Sequence, residues 1–168
     1  MNEKCPKYNE TGWVGRVVPV LEPALVRAAC MKPYPNHPHG CPNYGKRASC
    51  PPQAPILDHT FDLSKPIYAI VNIFPLGEHR RRMAAKHPDW SERQLICCLY
   101  WQPKARRQLM DRILDWQAKR EDGHRWHPVL CPEAQGVNLT RTLSNAGFDL
   151  EWPPQERVCQ VALLGARP

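Results

Sequence analysis

One apolar stretch stands out between two prolines: Ile67-Tyr68-Ala69-Ile70-Val71-Asn72-Ile73-Phe74. Its β-branched and aromatic residues are typical of a strand, and an unbroken apolar run of this length predicts that both faces are buried. The run is far shorter than the roughly 18 residues of a membrane-spanning helix, so no membrane partner is expected. We therefore expect a sheet built around residues 67–74.

Helices are predicted on both sides of this strand. Pro in a first turn predicts a short helix over residues 23–29, and Asp89 with Glu92 resembles a capping box that begins a helix running to Trp101. Apolar residues at helical spacing predict a long amphipathic helix over residues 103–120, followed by Gly123. The pattern thus alternates helices with a strand.

The C-terminal part predicts one more helix and two more strands. A short helix is expected over residues 138–145, closed by Gly147, and strands are expected over residues 148–152 and 158–164 with a Pro-Pro turn between them. This order of elements predicts an α/β or α+β fold in which helices back a small sheet. A chain of 168 residues fits a single domain.

Proline marks the first part of the chain. Of 19 prolines, many fall in residues 1–66, where helix-forming residues are few. We expect a cysteine- and proline-rich, metal-binding loop region over residues 1–66 and a core of strands and helices over residues 67–168.

The eight cysteines indicate metal binding more than disulfides. The start of the chain, Met1 to Pro6, is polar and lacks the apolar segment of a secretory signal, which predicts a cytoplasmic protein. In that reducing compartment, clustered cysteines usually serve metals or catalysis.

Three of these cysteines form the densest chemical signal, because they fall within 21 residues together with two histidines. They are Cys30, Cys41 and Cys50, with His37 and His39. Thiolates are soft ligands that suit an iron–sulfur cluster, and the lack of Cys-x-x-Cys pairs disfavours a zinc ribbon, although a Cys/His zinc site stays open as the alternative. Lys46 and Arg47 are expected to offset the negative charge of the bound cofactor.

Two separated segments of the sequence carry a resemblance. Cys41-Pro42-Asn43-Tyr44-Gly45, with Cys50-Pro51-Pro52, is similar to the Cys-Pro-x-Tyr-Gly and Cys-Pro-Pro motif of an uncharacterised family of predicted metal-binding, iron–sulfur proteins. Residues 131–138 and 145–150 are similar to that family's closing segment. The resemblance implies a metal site but no particular reaction. The family's further cysteine-rich group is reduced here to Cys131, so a second cluster is not expected.

The number of ligands separates two functions. A 4Fe–4S cluster has four irons, and the motif supplies three thiolates. Cys131 is the first choice for the fourth ligand, because it is followed by proline and lies in the second segment that resembles the family. If Cys131 does not bind, an open iron can act as a Lewis acid in a lyase, hydrolase or sulfur-transfer enzyme, with Glu133 as the candidate acid or base. If it binds, the protein is an electron-transfer or binding module.

The other cysteines do not belong to a recognisable ligand motif. Cys97 and Cys98 are expected in a helix and packed in the core, as is Cys159 in a strand, whereas Cys5 could be a ligand or a free thiol.

The net charge of +7 favours an anionic partner. A small anionic substrate, an acidic protein and a nucleic acid all fit this charge. In the third case, a zinc-stabilised domain would stack bases on some of its six tryptophans.

Overall fold

The computed structural model describes residues 11–33 and 37–168. The predictions for Cys5 and for the polar start of the chain lie outside these residues, as does the segment 34–36 of the cysteine-rich loop. No helix of the described part is long and apolar enough to cross a membrane.

A four-stranded antiparallel sheet forms the centre of the described residues. Its strands are β1 Gly12–Val17, β2 Ile67–Phe74, β3 His127–Val129 and β4 Val158–Gly165, in the order β1-β2-β4-β3. The strands predicted at 67–74 and 158–164 are confirmed. Since β1 pairs with β2 from Gly12 to Val17, the first part of the chain contributes to the core as well as to loops.

Helices back this sheet, which confirms the predicted α+β class. They are α1 Pro23–Ala28, α2 Leu76–Lys86, α3 Glu92–Leu95, α4 Gln102–Ala118 and α5 Leu139–Ser144. The predictions of α1, α4 and α5 are confirmed within one or two residues at each end, a usual margin for helix boundaries.

Both faces of β2 are buried, which explains its unbroken apolar run. On one face Ala69 and Val71 join a core cluster with Leu57, Phe61 and Phe148. On the other face, Ile70 of β2 with Ala162 and Leu164 of β4 meet Leu109 and Ile113 of α4. The sheet is therefore the middle layer between α4 and a layer of loops and α5.

Asn72 is the polar exception within β2. Its Nδ2 donates a hydrogen bond to the Ala105 carbonyl oxygen (3.1 Å), and its Oδ1 accepts one from Arg112 Nε (3.0 Å). Both partners lie on α4, so these bonds satisfy a buried amide and fix α4 against the sheet.

Two predictions were wrong in the middle of the chain. The capping box is formed by Ser91 and Gln94, with the Ser91 amide donating to Gln94 Oε1 (2.9 Å), rather than by Asp89 and Glu92. The helix that follows ends at Leu95, and a separate 3₁₀ turn covers Cys98–Tyr100. Cys97 and Cys98 consequently lie between α3 and α4, at the start of this 3₁₀ turn, and not inside one continuous α-helix.

The strand predicted over residues 148–152 was also wrong. The Glu151 carboxylate accepts hydrogen bonds from the backbone amides of Gln155, Glu156 and Arg157, at 2.7, 2.9 and 3.1 Å. These bonds hold the chain in a turn, and residues 148–152 join no strand. The sequence analysis did not predict β1, α2 or β3. Each has a weak local signal, because β1 contains two glycines, α2 contains three consecutive arginines, and β3 is only three residues long.

Candidate metal centre

The cysteine motif begins where α1 ends. Cys30 lies in the 3₁₀ turn Ala29–Met31 that directly follows α1, and the Cys41 amide donates a short hydrogen bond to the Cys30 carbonyl oxygen (2.7 Å). Gly40 makes this approach feasible, because its φ is +81° and a Cβ there would lie 2.5 Å from the same oxygen. The absence of a side chain at Gly40 therefore allows the backbone of Cys41 to lie against that of Cys30.

Turns carry the chain from Cys41 to Cys50. The Tyr44 amide donates to the Cys41 carbonyl oxygen (3.1 Å), and the Gly45 amide donates to the Pro51 carbonyl oxygen (2.8 Å). The second bond joins the middle of the loop to the residue after Cys50. The irregular loop predicted from the prolines is thus closed upon itself by backbone hydrogen bonds.

The segment with Cys131 reaches this loop through a short paired region. The Glu22 amide donates to the Gly136 carbonyl oxygen (2.9 Å), and the Asn138 amide donates to the Val20 carbonyl oxygen (2.8 Å). The 3₁₀ turn Pro132–Gln135, which follows Cys131, consequently packs against α1. Residues more than 100 positions apart in sequence are held side by side.

Arg27 joins the three pieces. From α1 its Nε donates to the Ala134 carbonyl oxygen (2.9 Å), and its Nη2 donates to the Ala54 carbonyl oxygen. The same guanidinium group lowers the pKa of Cys30, against the stronger effect of burial. The sequence reading missed Arg27, although its position three residues before Cys30 on a helix was a usable signal.

The pKa changes of the thiols show which side chains lie near one another. Burial raises the pKa of Cys30, and the charges of Cys41, Cys50 and Glu133 raise it further. Cys131 is exposed at the surface, and partial desolvation raises the pKa of its thiol, with smaller contributions from Glu133 and Cys50. All four cysteines singled out in the sequence therefore lie within electrostatic reach of at least one of the others, together with Glu133.

The described cysteines supply the donor type that an iron–sulfur cluster takes, but they are not gathered around a single point. Among the described residues, no three or more His, Cys, Asp or Glu side chains are arranged to hold a metal ion. A single zinc ion needs its donors around one point, at about 2.3 Å for sulfur, whereas each thiolate of a 4Fe–4S cluster binds a different iron. Binding would also have to remove the protons that the raised pKa values keep on Cys30 and Cys131.

The two predicted cationic residues differ in position. Both Lys46 and Arg47 are exposed on the motif loop, and Arg47 borders a cavity together with Cys131 and Glu133. Arg106 of α4 borders the same cavity and lowers the pKa of Cys131. Nothing in the sequence linked Arg106 to the cysteines, because only the packing of α4 places it there.

Glu133 borders this cavity and lies within electrostatic reach of Cys30 and Cys131. The residue is exposed at the surface, and desolvation of its carboxyl group raises the pKa of that group. The cavity has a volume of about 480 Å³. The candidate acid or base thus borders a space that a small molecule could occupy.

The remaining described cysteines lie outside the two segments of the candidate site, although Cys159 borders the cavity near Cys131. Cys98 is exposed and Cys97 is partly buried, so the predicted core packing of this pair is wrong for Cys98. Cys159 packs against the core cluster on β4, as predicted, and burial raises its pKa to about 11.

Comparison with known proteins adds no relative: no family model, no curated protein and no solved structure matches this chain.

Proposed function

We propose that this chain is a cytoplasmic iron–sulfur protein in which Cys30, Cys41 and Cys50 bind three irons of a 4Fe–4S cluster. The fourth iron, beside Cys131, is open to a small anionic substrate. The resemblance of two segments to a family of predicted iron–sulfur proteins supports this function. The observation that carries it is that backbone hydrogen bonds hold the loop of Cys30, Cys41 and Cys50 beside the segment of Cys131, so that thiols from two parts of the chain lie near one another.

The surroundings of the thiols suit an anionic cofactor. Arg27 and Arg106 each act on one of the cysteines, and Arg47 lies on the same loop as Cys41 and Cys50. Their positive charges offset the charge of bound thiolates, which is the role expected of Lys46 and Arg47. The described cysteines are free thiols, in keeping with a reducing compartment.

A bound cluster with an open iron supplies a Lewis acid that can polarise an oxygen atom or bind a sulfur atom of a substrate. The chain's own residues would bind the substrate and exchange the proton. The cavity receives the substrate, the arginines at its border attract a negative charge, and Glu133 stands where a proton could be exchanged. A lyase, a hydrolase or a sulfur-transfer enzyme would use these groups alike.

A fully ligated cluster is the second candidate. It is favoured by one observation, the electrostatic contact of Cys131 with Cys50, which is compatible with Cys131 as a fourth ligand. The zinc-stabilised nucleic-acid-binding domain has less support, because Trp13, Trp101 and Trp126 are buried and cannot stack on bases.

Anaerobic purification with analysis of iron, sulfide and zinc tests the proposal. We expect brown protein with broad visible absorption and about four irons and four sulfides per chain. Cys41→Ala and Cys50→Ala should each lose the metal, whereas the matched variants Cys97→Ala and Cys98→Ala should keep it. Colourless protein with one zinc per chain, or iron retained in the Cys41→Ala variant, would contradict the proposal.

Cys131→Ala separates the open iron from the ligated one. With an open iron, this variant keeps its four irons, and added cyanide changes the electron paramagnetic resonance spectrum of the reduced wild type. With Cys131 as a ligand, the variant becomes labile or converts to a three-iron form. A wild-type spectrum that ignores cyanide, together with a labile variant, would favour the electron-transfer module.

A further inference from the structure

The cavity beside Cys131 lies at an open edge of the sheet. Because β3 pairs with β4 only at Leu163–Gly165, residues 158–162 of β4 have no strand on that side in the described part of the chain. The space is bounded by this edge of β4, by α4, by the turn after Cys131 and by the segment around Trp152. Its volume of about 480 Å³ is in the usual range of small-molecule sites, roughly 300–1,000 Å³.

The charged groups around the cavity favour an anion. Arg47, Arg106 and Arg157 border it, against the two carboxylates of Glu133 and Glu151. Glu151 is already engaged, because it accepts three backbone amides and lies 3.8 Å from Arg157 Nε. By contrast, Arg47 and Arg106 make no side-chain hydrogen bond and no ion pair with any described residue.

Two unpaired guanidinium groups therefore face the same space from separate elements. One belongs to the loop between Cys41 and Cys50, and the other to the N-terminal half of α4. A guanidinium group can bind a carboxylate or a phosphate with two parallel hydrogen bonds. An anionic group at this border would also lie close to Cys131, beside which we place the open fourth iron of the cluster.

Most of the remaining wall is apolar, and Gln102 and Gln160 are the uncharged polar residues in it. Met110 of α4, Leu150 and Trp152 line it together with Leu130, Leu139 and Val161. Trp152 and Leu130 are exposed to solvent, so an apolar ligand would cover them. A ligand that fits this wall has an apolar body of a few carbon atoms, and its charge belongs at the end where the arginines lie.

We propose that this cavity is the substrate site of the protein and that it takes a small organic anion, with a carboxylate or phosphate head bound by Arg106 and Arg47 and an apolar body packed on Met110, Leu150 and Trp152. This inference rests on the proposed function for the identity of the ligand as a substrate. The site itself needs no cluster in order to bind, so the two proposals can fail separately.

Calorimetric titration of the anaerobically purified protein tests the site. The probes are 4-phenylbutyrate and phenyl phosphate, with 4-phenylbutanol as the neutral probe of the same shape. We expect at least one of the anions to bind with one molecule per chain and the alcohol to bind more weakly. Arg106→Gln should weaken binding of the anion about tenfold or more, the loss expected for a charged hydrogen bond.

Arg107→Gln is the matched control, because Arg107 is the next residue of the same helix, is exposed and does not border the cavity. It should leave the affinity unchanged. The proposed site would be refuted if neither anion bound or if the alcohol bound as tightly as the anion. It would also be refuted if Arg106→Gln and Arg107→Gln lost equal affinity for the anion. Iron analysis of the same samples is an independent result: iron-free protein that still binds the anion contradicts the cluster and keeps the anion site.

Discussion

Gly40→Ala tests the geometry that brings Cys41 to Cys30. At a φ of +81°, an L-residue costs about 1–2 kcal/mol relative to glycine. The new Cβ would also lie 2.5 Å from the Cys30 carbonyl oxygen and 2.8 Å from the Met31 carbonyl carbon, both of which are backbone atoms. The backbone must move, which weakens the hydrogen bond from the Cys41 amide, worth about 0.5–1.5 kcal/mol. These two terms together predict a loss of stability of roughly 1.5–3.5 kcal/mol, to which the steric contact adds.

Gly45→Ala provides the control within the same loop. Gly45 also has a positive φ of +71°, but nothing lies within 4 Å of an added Cβ. The substitution should therefore cost only the backbone term, about 1–2 kcal/mol.

Urea unfolding of both variants, followed by iron analysis, measures the difference. Gly40→Ala should have the lower unfolding midpoint and should hold less iron per chain, because metal binding and loop folding are coupled. Equal midpoints with equal iron contents would refute the argument that the close approach at Gly40 matters.

Two further predictions concern titratable groups away from the proposed cluster. Burial, and secondarily Arg82, lowers the pKa of His79, so the unfolded chain binds more protons below about pH 6.5 and stability falls as the pH drops through this value. The free energy of unfolding should lose up to about 1.4 kcal/mol per pH unit between pH 6.5 and the folded pKa, and His79→Phe should remove this part of the slope in urea unfolding at pH 5–8. Burial raises the pKa of Cys159 to about 11, so little of its thiol is ionised at pH 8. It should react with iodoacetamide roughly a hundredfold more slowly than exposed Cys98, as measured by peptide mass spectrometry. Equal rates would contradict the burial of the Cys159 thiol.

Local patterns predicted the elements whose signals are strong along the chain. β2 is apolar at nearly every position, and α4 repeats its apolar residues at helical spacing, so both could be located before any tertiary contact was known. The end of α3 could not be located, since the Ile96 carbonyl oxygen just after Leu95 accepts a hydrogen bond from the Trp101 indole (3.1 Å), a contact that no local pattern records. Nor could the turn at residues 148–157, which one side chain, Glu151, holds by accepting three backbone amides.

In the candidate site, too, some features could be predicted from the sequence and others depend on tertiary contacts. Spacing and residue type singled out Cys30, Cys41 and Cys50, because thiols close together in a proline-rich segment form a pattern that needs no coordinates to be seen. Cys131 was singled out by the proline that follows it and by its place in the second segment that resembles the family. Only the tertiary structure decided that Cys131 meets the other segment, through backbone pairing of residues 20–22 with residues 136–138. It also decided which cations face the thiols, Arg27 and Arg106. The physical reason is that an arginine's neighbours depend on how its helix packs, and a sequence records the residue without recording that packing.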